Sequence, residues 1–234
     1  MFKRRYQKMQ YKIYGLGRKR MRRNISLVAL ATASCVGGLA VSAPAAQAAP
    51  MRATTPVIRN DIMAVVAAIA LSDLQTSLVT GDRETRNRYV STRNALAAEV
   101  ANRLGLDPVL MQNAWSDADS QHQVALMAAL SQLGVRYRRN MSAPGQGFDC
   151  SGLTAYAWSV SGTNIAHQSR TQINAAFARN ADTAQAGDLM YFPGHVMMYL
   201  GVDKAILHAP NSGRTVEVGF VPAHRSVRFG SPIG

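Results

Sequence analysis

Cysteine is almost missing from this chain: of 234 residues only Cys35 and Cys150 carry a thiol. That scarcity excludes a disulfide framework, and no spacing of Cys and His fits a zinc motif. Acidic residues are missing from residues 1–48, which hold ten of the 26 Lys and Arg. This one-sided terminus, from Lys3 to Arg23, accounts for most of the formal charge of +13. The rest of the chain carries sixteen basic and thirteen acidic residues, an ordinary balance that removes the main argument for a nucleic-acid partner. A long uninterrupted apolar run is absent too. The best candidate, "ISLVALATASCVGGLAV", is broken by Ser, Thr and Gly and falls short of the roughly 20 apolar residues a spanning helix needs. With 47% hydrophobic residues, the chain can still bury one main core and a smaller one.

The basic stretch to Asn24, the apolar segment after it and the small-x-small site Ala46-Gln47-Ala48 together read as a signal peptide over 1–48, cleaved after Ala48. Met21 would open a conventional version, "MRRNISLVALA". A lipid-attachment site at Cys35 is the rival reading, but Thr32 stands where such sites want a large aliphatic residue. Export would leave a secreted, wall-associated protein with no stable membrane insertion and a single cysteine, Cys150. A lone thiol outside the cytoplasm is either an inert small hydrophobe or a reactive group.

Residues 49–120 read as an Ala-rich helical segment. One helix is capped by Asn60 and stopped at Gly81, a second is closed by Gly105, and Asp107-Pro108 opens a short third. Eight acids, seven bases and no Cys or His leave no catalytic constellation there, so packing beside the main domain or spacing is the expected role. From residue 121 to 234 the texture changes. "QHQVALMAALSQLG" and "CSGLTAYAWSV" read as helices separated by a polar loop; "DLMYF", "HVMMYLGV", "KAILHA" and "TVEVGFV" read as strands. Helices first and strands afterwards indicate an α+β domain with an antiparallel sheet.

Cys150 falls at the start of a helix, where free N–H groups and the helix dipole lower a thiol's pKa. A thiolate nucleophile needs a base brought from elsewhere. His195 opens one strand and His208 closes the next. An even-numbered loop around Gly201 to Lys204 would set both on one sheet face, one as base and the other as its orienter; two satisfied structural histidines are the alternative. His122, His167 and His224 read as surface or support residues. Asp149 is a helix cap or a substrate-amine ligand, Asp188 a structural loop residue, and Tyr137 belongs to the core or lines a cleft near Cys150.

The ordered series "QLGVRY", "GFDCSGL", "SRTQ", "AGDLMYF", "HVMMYLG" and "ILHAP" resembles the NlpC family of cell-wall cysteine peptidases over about Gln121 to Val221. The resemblance implies a papain-like α+β core with the nucleophile helix packed on the antiparallel sheet. It implies Cys150 as nucleophile, His195 as general base and His208 as the orienting third member, with Asp149, Ser151 and Tyr137 binding substrate and no cofactor. The implied partner is bacterial peptidoglycan, whose stem peptides are commonly cut between D-glutamate and the diamino acid. The rival functions are a thiol amidase or acyltransferase, and a wall-binding protein with a vestigial site. Two departures from the family pattern stand out. Arg138-Arg139-Asn140 replaces a Trp-Gly-Gly-like stretch, and Ala166-His167 replaces a frequent Pro-Arg.

Overall fold

Aspartates start most of the helices. The computed structural model describes residues 61–234; the signal segment and cleavage site expected over 1–48 lie outside the described residues. Helices α1 (Ile62–Thr80), α2 (Arg83–Leu104), α3 (Pro108–Asp117), α4 (Ser120–Leu130) and α5 (Cys150–Val160) are capped by Asp61, Asp82, Asp107, Asp119 and Asp149, whose carboxylates accept the first free backbone N–H groups. Gly81 and Gly105, both in the left-handed region, end α1 and α2 as their sequence positions predict. The cap of α1 is Asp61 rather than Asn60.

After α4 the polar loop folds into a two-stranded ribbon, β1 (Ser142–Ala143) and β2 (Gly147–Phe148), that leads into α5. Helix α6 (Ser169–Ala175) follows, then β3 (Phe177–Arg179), β4 (Leu189–Phe192), β5 (His195–Tyr199), β6 (Ala205–His208), β7 (Glu217–Phe220) and β8 (Arg228–Ser231). The last six strands form one antiparallel sheet in the order β3-β8-β4-β5-β6-β7. The α+β class read from the sequence is the architecture observed.

Alternation along the strands gives the sheet two apolar faces. Leu189, Val196, Met198 and Leu207 join the main core with Leu126, Leu130, Leu153 and Trp158 of α4 and α5. Met190, Met197, Tyr199 and Ile206 form a smaller cluster. The main core continues without a break into the N-terminal helices through Leu74, Tyr89, Leu96 and Trp115. Trp115 Nε1 donates to the Leu200 carbonyl at 2.9 Å, and Tyr89 Oη and Arg93 both donate to Gln123. The helical segment is therefore part of the same packed body as α4 and the sheet.

Candidate active site

The start of α5 is wrapped by the chain on either side of it. Asp149 is buried and its carboxylate gathers four donors: the Gly152 amide at 2.7 Å, Ser151 Oγ at 3.2 Å and His167 Nε2 at 2.8 Å on Oδ1, and the Asn140 amide at 2.8 Å on Oδ2. That is about the full acceptor capacity of a carboxylate. Asp149 N–H donates to the Met141 carbonyl, and Ser142 Oγ donates to the Gly152 carbonyl, so the loop from Arg138 is tied to the first turn of α5. Gln172 of α6 secures the other side by donating to the carbonyls of Ser151 and Ala166 while accepting from Thr154.

Cys150, half-buried and free, emerges at this first turn. The backbone N–H groups of Val196, Ser151 and Cys150 itself favour the thiolate, which sets the thiol near the residue that follows His195. Burial nevertheless pushes the thiol up, Asp149 adds to this, and the amides only partly offset it. The fold therefore departs from the lowered thiol pKa expected from the helix start, because desolvation outweighs the helix N-terminus.

Across the sheet, Leu200 and Ala205 close a four-residue loop from Gly201 to Lys204. The register pairs Tyr199 with Ile206 and Met198 with Leu207, which sets His195 and His208 on one face as diagonal neighbours. Their rings meet: His195 Nε2 lies 2.9 Å from His208 Nδ1, with the ring planes at 75°. Burial holds His195 down to about 4. Burial, together with the charges of His195 and Arg214, holds His208 down to about 3. Both imidazoles are therefore neutral at neutral pH, and the nitrogen of His195 not engaged by His208 is Nδ1. On the far side of His208, Glu217 sits directly opposite in the β6–β7 register, its Oε1 3.6 Å from His208 Nε2, and Arg214 pairs with the same carboxylate. A groove of about 380 Å³ runs beside the two histidines, walled by Phe192, Pro193, Pro210, Asn211 and Arg214.

Tyr137 is half-buried near this site; burial, then the Cys150 and Asp149 charges, push its phenol up. The residues singled out in the sequence thus gather around the start of α5 and the adjoining ends of β5 and β6. Ser151 and Asp149 do so as buried, internally bonded groups. His167, read as a surface or support residue, is a ligand of Asp149; the signal was its place in the position of the family's frequent arginine. Glu217 escaped notice because only the β6–β7 register brings it to His208. His122 is support but not surface. Its buried ring bridges Asp119 Oδ2 at 2.7 Å and Asp188 Oδ1 at 2.8 Å. Among the described residues no cluster of three or more His, Cys, Asp or Glu is arranged to hold a metal ion.

Residues 134–225 match the NlpC/P60 family. This is the family that the ordered sequence series resembles. A protein of Corynebacterium glutamicum strain R, named a probable endopeptidase, is 27% identical over 203 residues, covering 84% of this chain and 93% of its own. An alignment of that extent runs beyond the NlpC/P60 match and takes in the helices that precede it. The peptidoglycan endopeptidase RipA of Mycolicibacterium smegmatis is 31% identical over 112 residues, covering 41% of this chain and 22% of its own. The solved P60 domain of an antigen from M. avium subspecies paratuberculosis is 29% identical, covering 49% of this chain and 96% of that one, with a TM-score of 0.42.

Proposed function

We propose that the protein is a secreted peptidoglycan endopeptidase that cuts stem-peptide amides, at the D-glutamyl–diamino acid bond, with Cys150 as nucleophile, His195 as general base and His208 as its orienter. The observation that carries this reading is the thiol at the start of α5, near the Val196 amide, while the His195 that precedes it is bonded to His208 at 2.9 Å. Residues 1–48 serve as the signal peptide, 49–120 as the helical support and 121–234 as the catalytic part.

With the thiol raised and His195 neutral, the proton moves as attack proceeds rather than beforehand. Cys150 Sγ bonds to the scissile carbonyl carbon, its proton passes to His195 Nδ1, and the carbonyl electrons move onto the oxygen, where backbone N–H groups at the start of α5 receive the charge. Collapse of this adduct breaks the C–N bond, and the leaving amine takes the proton from His195. Water then attacks the thioester, giving a proton to His195; the C–S bond breaks and the thiolate recovers that proton. Tyr137, Asp149 and Ser151 serve as the substrate-binding residues, a substrate ammonium displacing His167 from Asp149 Oδ1.

Digestion of purified sacculi followed by mass spectrometry of the released muropeptides tests the reading. Free ends at the D-glutamyl–diamino acid bond are expected from the parent and none from Cys150→Ser, whose hydroxyl is far less ionised than a thiol. Tight wall binding with no released peptide would indicate a vestigial site; transfer to an added amine would indicate an acyltransferase.

A further inference from the structure

Two neutral imidazoles in series have no built-in direction. If His208 carries its proton on Nδ1, it donates to His195 Nε2, which forces the His195 proton onto Nδ1 and leaves that nitrogen no lone pair for the thiol. If His208 carries its proton on Nε2, its Nδ1 accepts from His195 Nε2–H, and His195 Nδ1 is free to act as a base. The same 2.9 Å contact is compatible with both arrangements, so something beyond the pair must select one.

We propose that Glu217 is a positioning residue that fixes the polarity of the His195–His208 pair by holding the His208 proton on Nε2. This rests on the catalytic roles proposed above for the two histidines. The carboxylate is directly opposite His208 in the β6–β7 ladder, with Oε1 3.6 Å from Nε2. That separation is longer than a hydrogen bond, but a carboxylate facing a bare nitrogen lone pair is repelled, whereas one facing an N–H is attracted. The β ladder gives the arrangement its rigidity, since both residues lie within paired strands rather than in the loop between them. Arg214 complements it: its guanidinium pairs with Glu217 and adds to the burial that keeps His208 neutral, so His208 can be directed without taking a second proton. Glu217 touches neither Cys150 nor the scissile bond; it acts through His208 and then His195.

The test combines kinetics with the ¹⁵N signals of histidine-labelled protein. In the parent, His208 and His195 should each show a protonated Nε2 and a bare Nδ1. Glu217→Ala should give mixed His208 tautomers and a kcat lowered about tenfold with KM unchanged, well short of the ~10⁴-fold loss seen when a carboxylate bonded directly to a catalytic histidine is neutralised. Glu217→Gln keeps an acceptor oxygen in place and should restore most of both. Arg214→Ala removes the ion pair but keeps the carboxylate, and should leave the His208 tautomer as in the parent. The proposal is overturned if Glu217→Ala keeps a single Nε2–H tautomer, if kcat and tautomer fail to change together, or if Arg214→Ala reproduces the Glu217→Ala tautomer mixture. A parent that cuts no wall peptide would defeat the proposed function instead, and the tautomer populations alone would then decide the role of Glu217.

Discussion

Gly152, two residues after Cys150, has no room for a side chain. A Cβ there would collide with the Met141 carbonyl oxygen and come within 2.8 Å of His167 Nε2. The oxygen belongs to backbone that also accepts from the Asp149 amide, so relief would require the loop to leave the start of α5. Gly152→Ala is expected to destabilise the protein by about 1–3 kcal/mol, as overpacking does, and to abolish wall-peptide cleavage; urea unfolding and muropeptide release would check both. The two histidines should separate under the same assay. His195→Ala removes the proposed proton acceptor and should fall to the level of Cys150→Ser. His208→Ala removes an orienter that is a neutral imidazole, which stabilises an imidazolium less than a carboxylate does, and should keep measurable activity. Equal loss in both, with circular dichroism unchanged, would refute this division of roles. At this scale the sequence was most informative: a single thiol beyond the expected signal segment and two histidines at strand ends are local signals. The raised thiol was not legible, because burial depends on what packs over Cys150.

His122 joins elements that the sequence does not mark as neighbours. Its ring ties the cap of α4, through Asp119, to the fully buried Asp188 ahead of β4, while Ser231 of β8 lies 3.2 Å from the same Nε2 and Trp158 of α5 packs edge-on at 4.9 Å. Gly187 is part of this joint: at φ +104, any Cβ would sit 2.9 Å from the His122 carbonyl oxygen. Removing the ring would strand the Asp188 carboxylate in the core, so His122→Ala is expected to cost on the order of 3–5 kcal/mol, a loss readable as a lowered unfolding midpoint with little change in slope. Long periodic segments and their Gly and Asp ends made α2, α3 and α5 legible, and four of the strands were visible as short apolar runs. Strands β3 and β8 were not. Phe177–Arg179 and Arg228–Ser231 are short and of mixed polarity, and they become strands only by pairing with each other and, for β8, with β4. Helix α6 was likewise hidden, being seven residues long and held by Gln172 contacts distant in sequence.

For the molecule as a whole, the helices before residue 118 are an integral part of the core rather than an appended module. Their removal would take away Trp115, which is fully buried and bonded to Leu200 of the sheet layer, and would strip Leu126 and Leu130 of their cover. A chain starting at Asp119 is expected to lack a cooperative thermal transition, whereas one starting at Asp61 should keep it. The buried histidines then shape stability against pH in opposite senses. His195 and His208 titrate at about 4 and about 3 in the folded protein, below the ordinary 6.5. Between pH 6.5 and 4 the unfolded chain therefore binds the extra protons, and stability falls as pH drops through that window. His122 is raised: burial opposes its charge, but the hydrogen bonds and charges of Asp188 and Asp119 prevail. Its contribution is fully present below 6.5 and is lost as pH rises through its folded value. The two trends meet near 6.5, so the melting temperature should peak close to pH 6.5 between pH 4 and 8.5. His208→Gln should soften the acid fall, and His122→Gln, less stable throughout, should flatten the alkaline one. A melting temperature that rises steadily from pH 4 to 8.5 in the parent would show that His122 does not hold its proton between the two aspartates, and the joint between α4, β4 and β8 would then owe its stability to neutral hydrogen bonds alone.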